Sequence, residues 1–253
     1  MSGVHLNLDQ GIARIRFEDV VGRNAVTLDF CRAFARVTRQ AVTDPDVKAI
    51  LLSAKGRFFS VGGDLADMLA HVDTVRDHVQ EMTDLFHVGI RHLHHAPVPV
   101  VVALHGMAAG GGMSIALAGD LIVAGKSGKF NSGYTRSGLT PDGGLSWLLP
   151  RLVGQVQAFR IMALNPTIGS EEALRLGLVS KVVEDADLDE EIEAMLAVLR
   201  AMPTGVLGTL KRLMHEGAGR SFEAQLDIEG EMIARRAENP ETLAILRSFL
   251  SGG

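Results

Sequence analysis

Three consecutive glycines, Gly110-Gly111-Gly112, stand between a β-branched run at residues 98–102 and an apolar stretch at residues 113–117. A strand, a glycine turn and a helix in that order aim backbone N–H groups at whatever lies above the helix N-terminus. Without Cβ atoms a ligand oxygen approaches closely, and the first-turn N–H groups and helix dipole favour negative charge. Such a turn can bind a phosphate or stabilise an oxyanion, and the glycines alone do not choose between them. Two further glycine turns lie at residues 59–65, Phe-Ser-Val-Gly-Gly-Asp-Leu, and at residues 138–144, Gly-Leu-Thr-Pro-Asp-Gly-Gly. In the last, Asp142 offers a carboxylate for acid/base work, although Pro-Asp-Gly also suits a turn or a helix cap. His78, His87, His92, His94 and His95 crowd a long stretch of helical character at residues 73–95, and His71 lies just before it. They lack a tight acidic partner pattern in the sequence, so no metal site is expected.

The elements around these turns alternate. Residues 4–8 and 12–17 read as two short strands about an Asp-Gln-Gly turn. A helix begins at Thr27, carries Phe30, Phe34, Val37 and Ala41 at helical spacing, and stops at Asp44-Pro45. Residues 47–53, 121–124 and 179–183 read as strands. From residue 188 onward the pattern is only helical, in four segments. An α/β body followed by an all-helical tail results, with an expected division into residues 1–195 and 196–253.

With 253 residues, 47% hydrophobic and 22% charged, the chain has the composition of a globular protein with a large core. A net charge of −5 argues against a nucleic-acid binder, which normally presents a basic face. The single cysteine, Cys31, excludes an intramolecular disulfide and a cysteine-based zinc site, and fits a reducing compartment. The opening residues lack the basic start and apolar core of a signal peptide, and a cytoplasmic location is expected. Residues 96–119 carry no formal charge, but Pro97, Pro99, His105 and the glycines divide them into strand, turn and helix, so no membrane span is expected.

Taken together and in order, the three glycine turns resemble the crotonase (enoyl-CoA hydratase/isomerase) superfamily. Softer matches run from Asn24-Ala25 to the helical tail. The resemblance implies a spiral of ββα units with a C-terminal helical region that trimerises, often into a dimer of trimers. It also implies an acyl-CoA thioester substrate whose carbonyl oxygen accepts hydrogen bonds from the N–H groups of Gly63 and Gly111. Coenzyme A would then arrive as part of the substrate, with no bound prosthetic group. Substrate and CoA contacts would fall on Arg23, Ala25, Ser60, Gly62, Asp64, Leu65, Met107, Gly110, Tyr134 and Pro141, with Lys55 or Arg57 near phosphate. Leu65, Met68, Leu85 and Leu139 are candidates for the acyl pocket, and by sequence they read equally as core.

The resemblance also bears on the reaction. Hydratases of this superfamily hold water between two glutamates, and the matching positions here are Ser114 and Tyr134. A hydroxyl and a phenol are poor bases at neutral pH, which argues against plain hydration. Asp142 matches the acid/base carboxylate of the family's isomerases, and a single carboxylate suffices for a 1,3 proton shift through an enolate. It would need desolvation by neighbours such as Leu139 or Trp147. Aryl-CoA dehalogenases of the same superfamily use an aspartate nucleophile at this position with a histidine from the preceding long helix, which would be His87. With so many histidines nearby, His87 is expected to be a helix-face residue. A non-catalytic binding homologue is the remaining alternative, with net acidity against an RNA partner.

Overall fold

The computed structural model describes residues 3–251. Strands β1 (Val4–Asp9) and β2 (Ile12–Phe17) form an antiparallel hairpin, closed by Gln10 and Gly11 at positive φ. Short β3 (Ala25–Val26) leads to α1 (Leu28–Thr43), capped by the Thr27 hydroxyl, which accepts from Phe30 N–H. Then come β4 (Ala49–Ala54), β5 (Phe58–Ser60), β6 (Gly62–Gly63), α2 (Leu65–Ala70) and α3 (Val75–His94). The next unit is β7 (Val100–Leu104), β8 (Met107–Ala109) and α4 (Gly111–Leu117). After β9 (Leu121–Gly125) and β10 (Lys129–Asn131) follow α5 (Leu145–Val153) and α6 (Gln155–Leu164). β11 (Ile168–Gly169), α7 (Ser170–Arg175) and β12 (Lys181–Val183) complete the body. Helices α8 (Leu188–Ala201), α9 (Val206–Gly217), α10 (Phe222–Ala237) and α11 (Pro240–Ser251) end the chain.

Each repeat sends one strand to a first sheet, one to a second, and then a helix. The first sheet runs β1-β2-β4-β7-β9-β12 and the second runs β11-β10-β8-β5, with β3 and β6 paired apart. Beyond the first hairpin the long sheet is parallel. The result is a spiral of ββα turns. Its repetition is not a repeat of sequence, because each turn buries different side chains.

Every residue of β7 is buried, since the sheet is covered on both sides. One side holds Phe17, Phe30, Phe34, Phe59 and Phe86 with α1 and α3, the rings of Phe17 and Phe30 lying 5.1 Å apart. The other side holds Leu51, Val101 and Val123 against Leu188, Ile192 and Leu196 of α8. At ~1.5–3 kcal/mol for each buried aliphatic side chain, that face binds α8 firmly to the sheet. The division expected after residue 195 therefore falls inside a helix of the body, and the tail begins with α9. β7 starts at Val100 rather than at residue 98, because Pro97 and Pro99 have no N–H to donate.

Helix α9 is anchored by one buried amine: Lys211 Nζ donates to Leu93 O and to Asp120 Oδ2, both at 2.7 Å. Asp120 Oδ2 also accepts from Val100 N–H, so it orients the start of β7, in keeping with a structural role. By contrast α10 and α11 bury no residue, and Phe222, Ile233 and Phe249 are largely exposed. Among the described residues no single helix is long and apolar enough to cross a membrane.

Candidate active site

Two of the glycine turns pack directly against each other. Gly62 has φ +82°, and a Cβ there would come within 2.6 Å of Ala109 O and 3.1 Å of Gly111 N, so only glycine fits. This contact sets Gly63, which ends β6, beside Gly111, which opens α4. As a first-turn residue of α4, Gly111 has an N–H with no acceptor inside the helix. Gly63 and Gly111 both line a cavity of about 460 Å³. Its walls are Leu65 and Met68 from α2, Met82 and Phe86 from α3, and Leu139 and Pro141 from the third glycine turn; Val26 and Cys31 also line it.

Polar groups line the same cavity. His87 Nε2 lies against Asp142 Oδ1, with both side chains partly exposed. The backbone of Asp142 is held from behind. Ser114, fully buried on α4, donates its hydroxyl to Asp142 O at 2.7 Å, and Tyr134 OH stands 3.1 Å from Ser114 Oγ. With the serine proton committed, the phenol donates to Ser114 Oγ, giving a relay Tyr134–Ser114–Asp142 carbonyl. Gly143, at φ +61°, lets the chain pass: a Cβ would meet Phe86 Cε1 at 2.6 Å and Ser114 Cβ at 2.7 Å.

These contacts decide what each group can do. Burial pushes the Tyr134 phenol above its ordinary range, so it is neither base nor anion at neutral pH. Burial likewise pushes the Cys31 thiol up to about 12, with the Asp142 charge acting in the same direction, so Cys31 is an inert wall. Asp142 is left as the carboxylate among the cavity's wall residues.

Several expected positions come out differently. His87 is not merely a helix-face residue, because its ring reaches the Asp142 carboxylate. It shares a helix stripe with Thr83 and Val79, one and two turns back respectively, and both line the cavity. That stripe was the available signal. Trp147 takes no part in desolvating Asp142; it lies half-exposed with the Arg151 guanidinium 3.7 Å over its ring. Leu85 packs on the core rather than in the cavity, whereas Leu65, Met68 and Leu139 line it.

Among the expected CoA contacts, Gly110, Leu65, Tyr134 and Pro141 line the cavity. Ser60 is fully buried, donating to Asn24 O and accepting from Gly62 N–H, so it holds the turn rather than a ligand. Asp64 caps α2 by accepting from Ala66 and Asp67 N–H. Ala25 is buried in β3 opposite Gly62, and Met107 sits half-buried in β8 outside the cavity. Arg23 is exposed at positive φ in the turn before β3, next to Asn24, whose amide donates to Lys55 O and Phe58 O. An acidic partner does stand beside two histidines: Asp67 touches both His71 and His78.

A family model described as enoyl-CoA hydratase/isomerase matches residues 7–247. A probable enoyl-CoA hydratase of Rhodobacter capsulatus is 31% identical over 93% of this chain and 94% of its own length. The 1,2-epoxyphenylacetyl-CoA isomerase of Escherichia coli is 29% identical over 88% of this chain and 86% of its own. A 4-chlorobenzoyl coenzyme A dehalogenase of an Arthrobacter species is 28% identical over 96% and 91%. Among solved structures, an enoyl-CoA hydratase from a Polaromonas species superposes with TM-score 0.93 at 26% identity, covering 98% of this chain and 97% of that one. The chain belongs to the enoyl-CoA hydratase/isomerase family, and its fold is the crotonase fold with the C-terminal helices present.

Proposed function

We propose that the protein is an acyl-CoA isomerase that moves a double bond by a 1,3 proton shift, with Asp142 as the single acid/base. The carrying observation is the Asp142 carboxylate, gripped by His87, lining the same cavity as Gly63 and Gly111. A 3-enoyl thioester would lie with its carbonyl oxygen at the two glycine N–H groups. Asp142 takes a proton from C2, the dienolate oxygen is held by the two donors, and the same carboxyl returns the proton to C4. One such donor contributes ~3–4 kcal/mol to stabilising the oxyanion. His87 engages Oδ1 and leaves Oδ2 to carry the proton.

Support against hydration comes from the Tyr134–Ser114 relay. The two positions that would hold water by carboxylates instead carry neutral hydroxyls, spent on each other and on the Asp142 carbonyl. Coenzyme A enters this reading only as part of the substrate; the names of the isomerase and dehalogenase relatives support a thioester. The exposed apolar residues of α10 and α11 support burial in a homo-oligomer, a trimer or a dimer of trimers.

The His87–Asp142 contact also favours a second reading, in which Asp142 attacks the halogen-bearing ring carbon of an aryl-CoA, halide leaves, and His87 activates water against the resulting aryl ester. Incubation with 3-enoyl-CoA in deuterated water tests the first. Double-bond migration with deuterium at C2 or C4 and no 3-hydroxyacyl product is expected. A 3-hydroxyacyl product overturns the isomerase reading. Inertness toward enoyl-CoA, with 18O passing from labelled water through Asp142 into an aryl product, establishes the second reading instead.

A further inference from the structure

We propose that the protein prefers an acyl-CoA whose chain carries a hydroxyl beyond the reacting carbons, and that Thr83 is the residue that reads it. The inference rests on the reading above, in which the thioester occupies the cavity shared by Gly63, Gly111 and Asp142. Val79, Thr83 and His87 stand at successive turns of α3, and all three line that cavity. His87 marks the level of the Asp142 carboxylate. The cavity therefore continues along α3, and Thr83 lies ~6 Å farther on, at ~1.5 Å of rise per residue. An extended chain advances ~3.5 Å for every three bonds, so that distance corresponds to about five bonds past the reacting carbons.

The wall that α2 and α3 give this cavity is apolar at Leu65, Met68, Val79, Met82 and Phe86. Besides His87, its polar members are Gln80 and Thr83. Gln80 is exposed, with its amide donating to Asp84 Oδ1 at 2.8 Å, so bulk water serves it. Thr83 is half-buried, and its hydroxyl donates to Gln80 O at 3.0 Å. With that proton committed to the helix, the Thr83 oxygen meets a ligand as an acceptor.

An acceptor in an apolar wall discriminates between chains. An alkyl chain displaces water from the Thr83 oxygen and leaves it without a partner, which weakens binding. A chain hydroxyl donates to that oxygen and removes the cost. An ether brings only a second acceptor and does not. The other hydroxyls of the cavity are placed differently: Tyr134 is spent on Ser114, and Ser137 and Thr140 lie on the exposed turn around Leu139. Thr83 thus acts on specificity and takes no part in the proton transfer.

The test is calorimetry on the full-length protein with saturated thioesters, which have no double bond to move. The probes are octanoyl-CoA, 8-hydroxyoctanoyl-CoA and its methyl ether, together with the analogues one carbon shorter and one longer. In the unaltered protein a hydroxy thioester is expected to bind ~3–10-fold more tightly than its alkyl parent, with the ether no better than the parent. Thr83→Val keeps the side-chain shape and should abolish the preference while binding the alkyl parent at least as tightly. Thr83→Ser keeps the hydroxyl and should retain the preference. Equal affinity within every pair, a preference that survives Thr83→Val, or an ether as good as the alcohol overturns the proposal, while binding of the alkyl thioesters leaves the acyl-CoA reading standing. If no thioester binds, that reading fails and this inference falls with it.

Discussion

His87 Nε2, on α3, lies against Asp142 Oδ1, in the turn before α5, across 55 residues of chain. One oxygen of the carboxylate is thereby engaged by a wall of the cavity, and in the proposed reaction the other carries the proton. The backbone of the same aspartate is held separately by Ser114. Side chain and main chain of one residue are positioned by two different helices.

Replacing Asp142 by Asn preserves shape and removes the base. Turnover with a 3-enoyl-CoA is expected to fall by ~10²–10⁴-fold, while affinity for a non-reactive CoA thioester changes little. Steady-state kinetics alongside calorimetry would check this, and retained turnover would exclude Asp142 as the acid/base.

The His87→Gln variant separates the two chemistries. Gln still donates to Asp142 Oδ1 but cannot take a proton. For a proton shift, kcat should drop moderately with KM nearly unchanged. For nucleophilic catalysis, hydrolysis of the ester stalls, and intact-mass spectrometry would record an aryl-CoA ester on Asp142.

Ser114→Ala removes the hydroxyl that bonds the Asp142 carbonyl in a fully buried site. A stability loss of about 1–3 kcal/mol is expected, with kcat falling more than affinity as the aspartate loosens. Ser114→Glu, meant to restore a hydratase-like carboxylate, should destabilise further. A Cβ at Gly143 would already stand 2.7 Å from Ser114 Cβ, so the neighbouring turn leaves no room for a longer side chain. Chemical denaturation of both variants measures the difference.

Stability should fall on acidification through a defined window. Burial, followed by the nearby His215, His95 and Lys211, pushes His94 down to about 4. The unfolded chain takes up that proton below pH ~6.5, whereas the folded protein refuses it until near its lowered value. His94 therefore costs stability as pH drops from ~6.5 toward 4 and costs no more below that. His92 and His215 shift the same way, both chiefly by burial. Melting curves across this range should be flatter for His94→Gln than for the unaltered protein.

The exposed apolar residues of the tail predict self-association. Native mass measurement should give a trimer or a multiple of three. A charge placed at Ile233 or Phe249, both over 70% exposed in the single chain, should yield smaller species without unfolding the body. An unchanged mass for Ile233→Glu and Phe249→Glu alike would remove these helices from the interface.

Much of the architecture was legible in the chain itself, because periodicity and turn chemistry are local. The Thr27 cap, the stripe of α1, the stop at Asp44-Pro45 and the glycine turns all follow from neighbours within a few residues. The glycines also announced a place for negative charge, since bare N–H groups above a helix need no tertiary partner. What lay beyond the sequence was every relationship set by packing between turns of the spiral. Whether His87 faced solvent or Asp142 depended on how α3 crosses the third glycine turn. That Ser114 and Tyr134 would spend their hydroxyls on each other and on a carbonyl depended on Gly143 closing against α4. Trp147 and Leu85, apolar like the residues that do line the cavity, were turned away from it by the same packing. Residue type sets what a group can do, but contacts over long sequence separations decide which partner it meets.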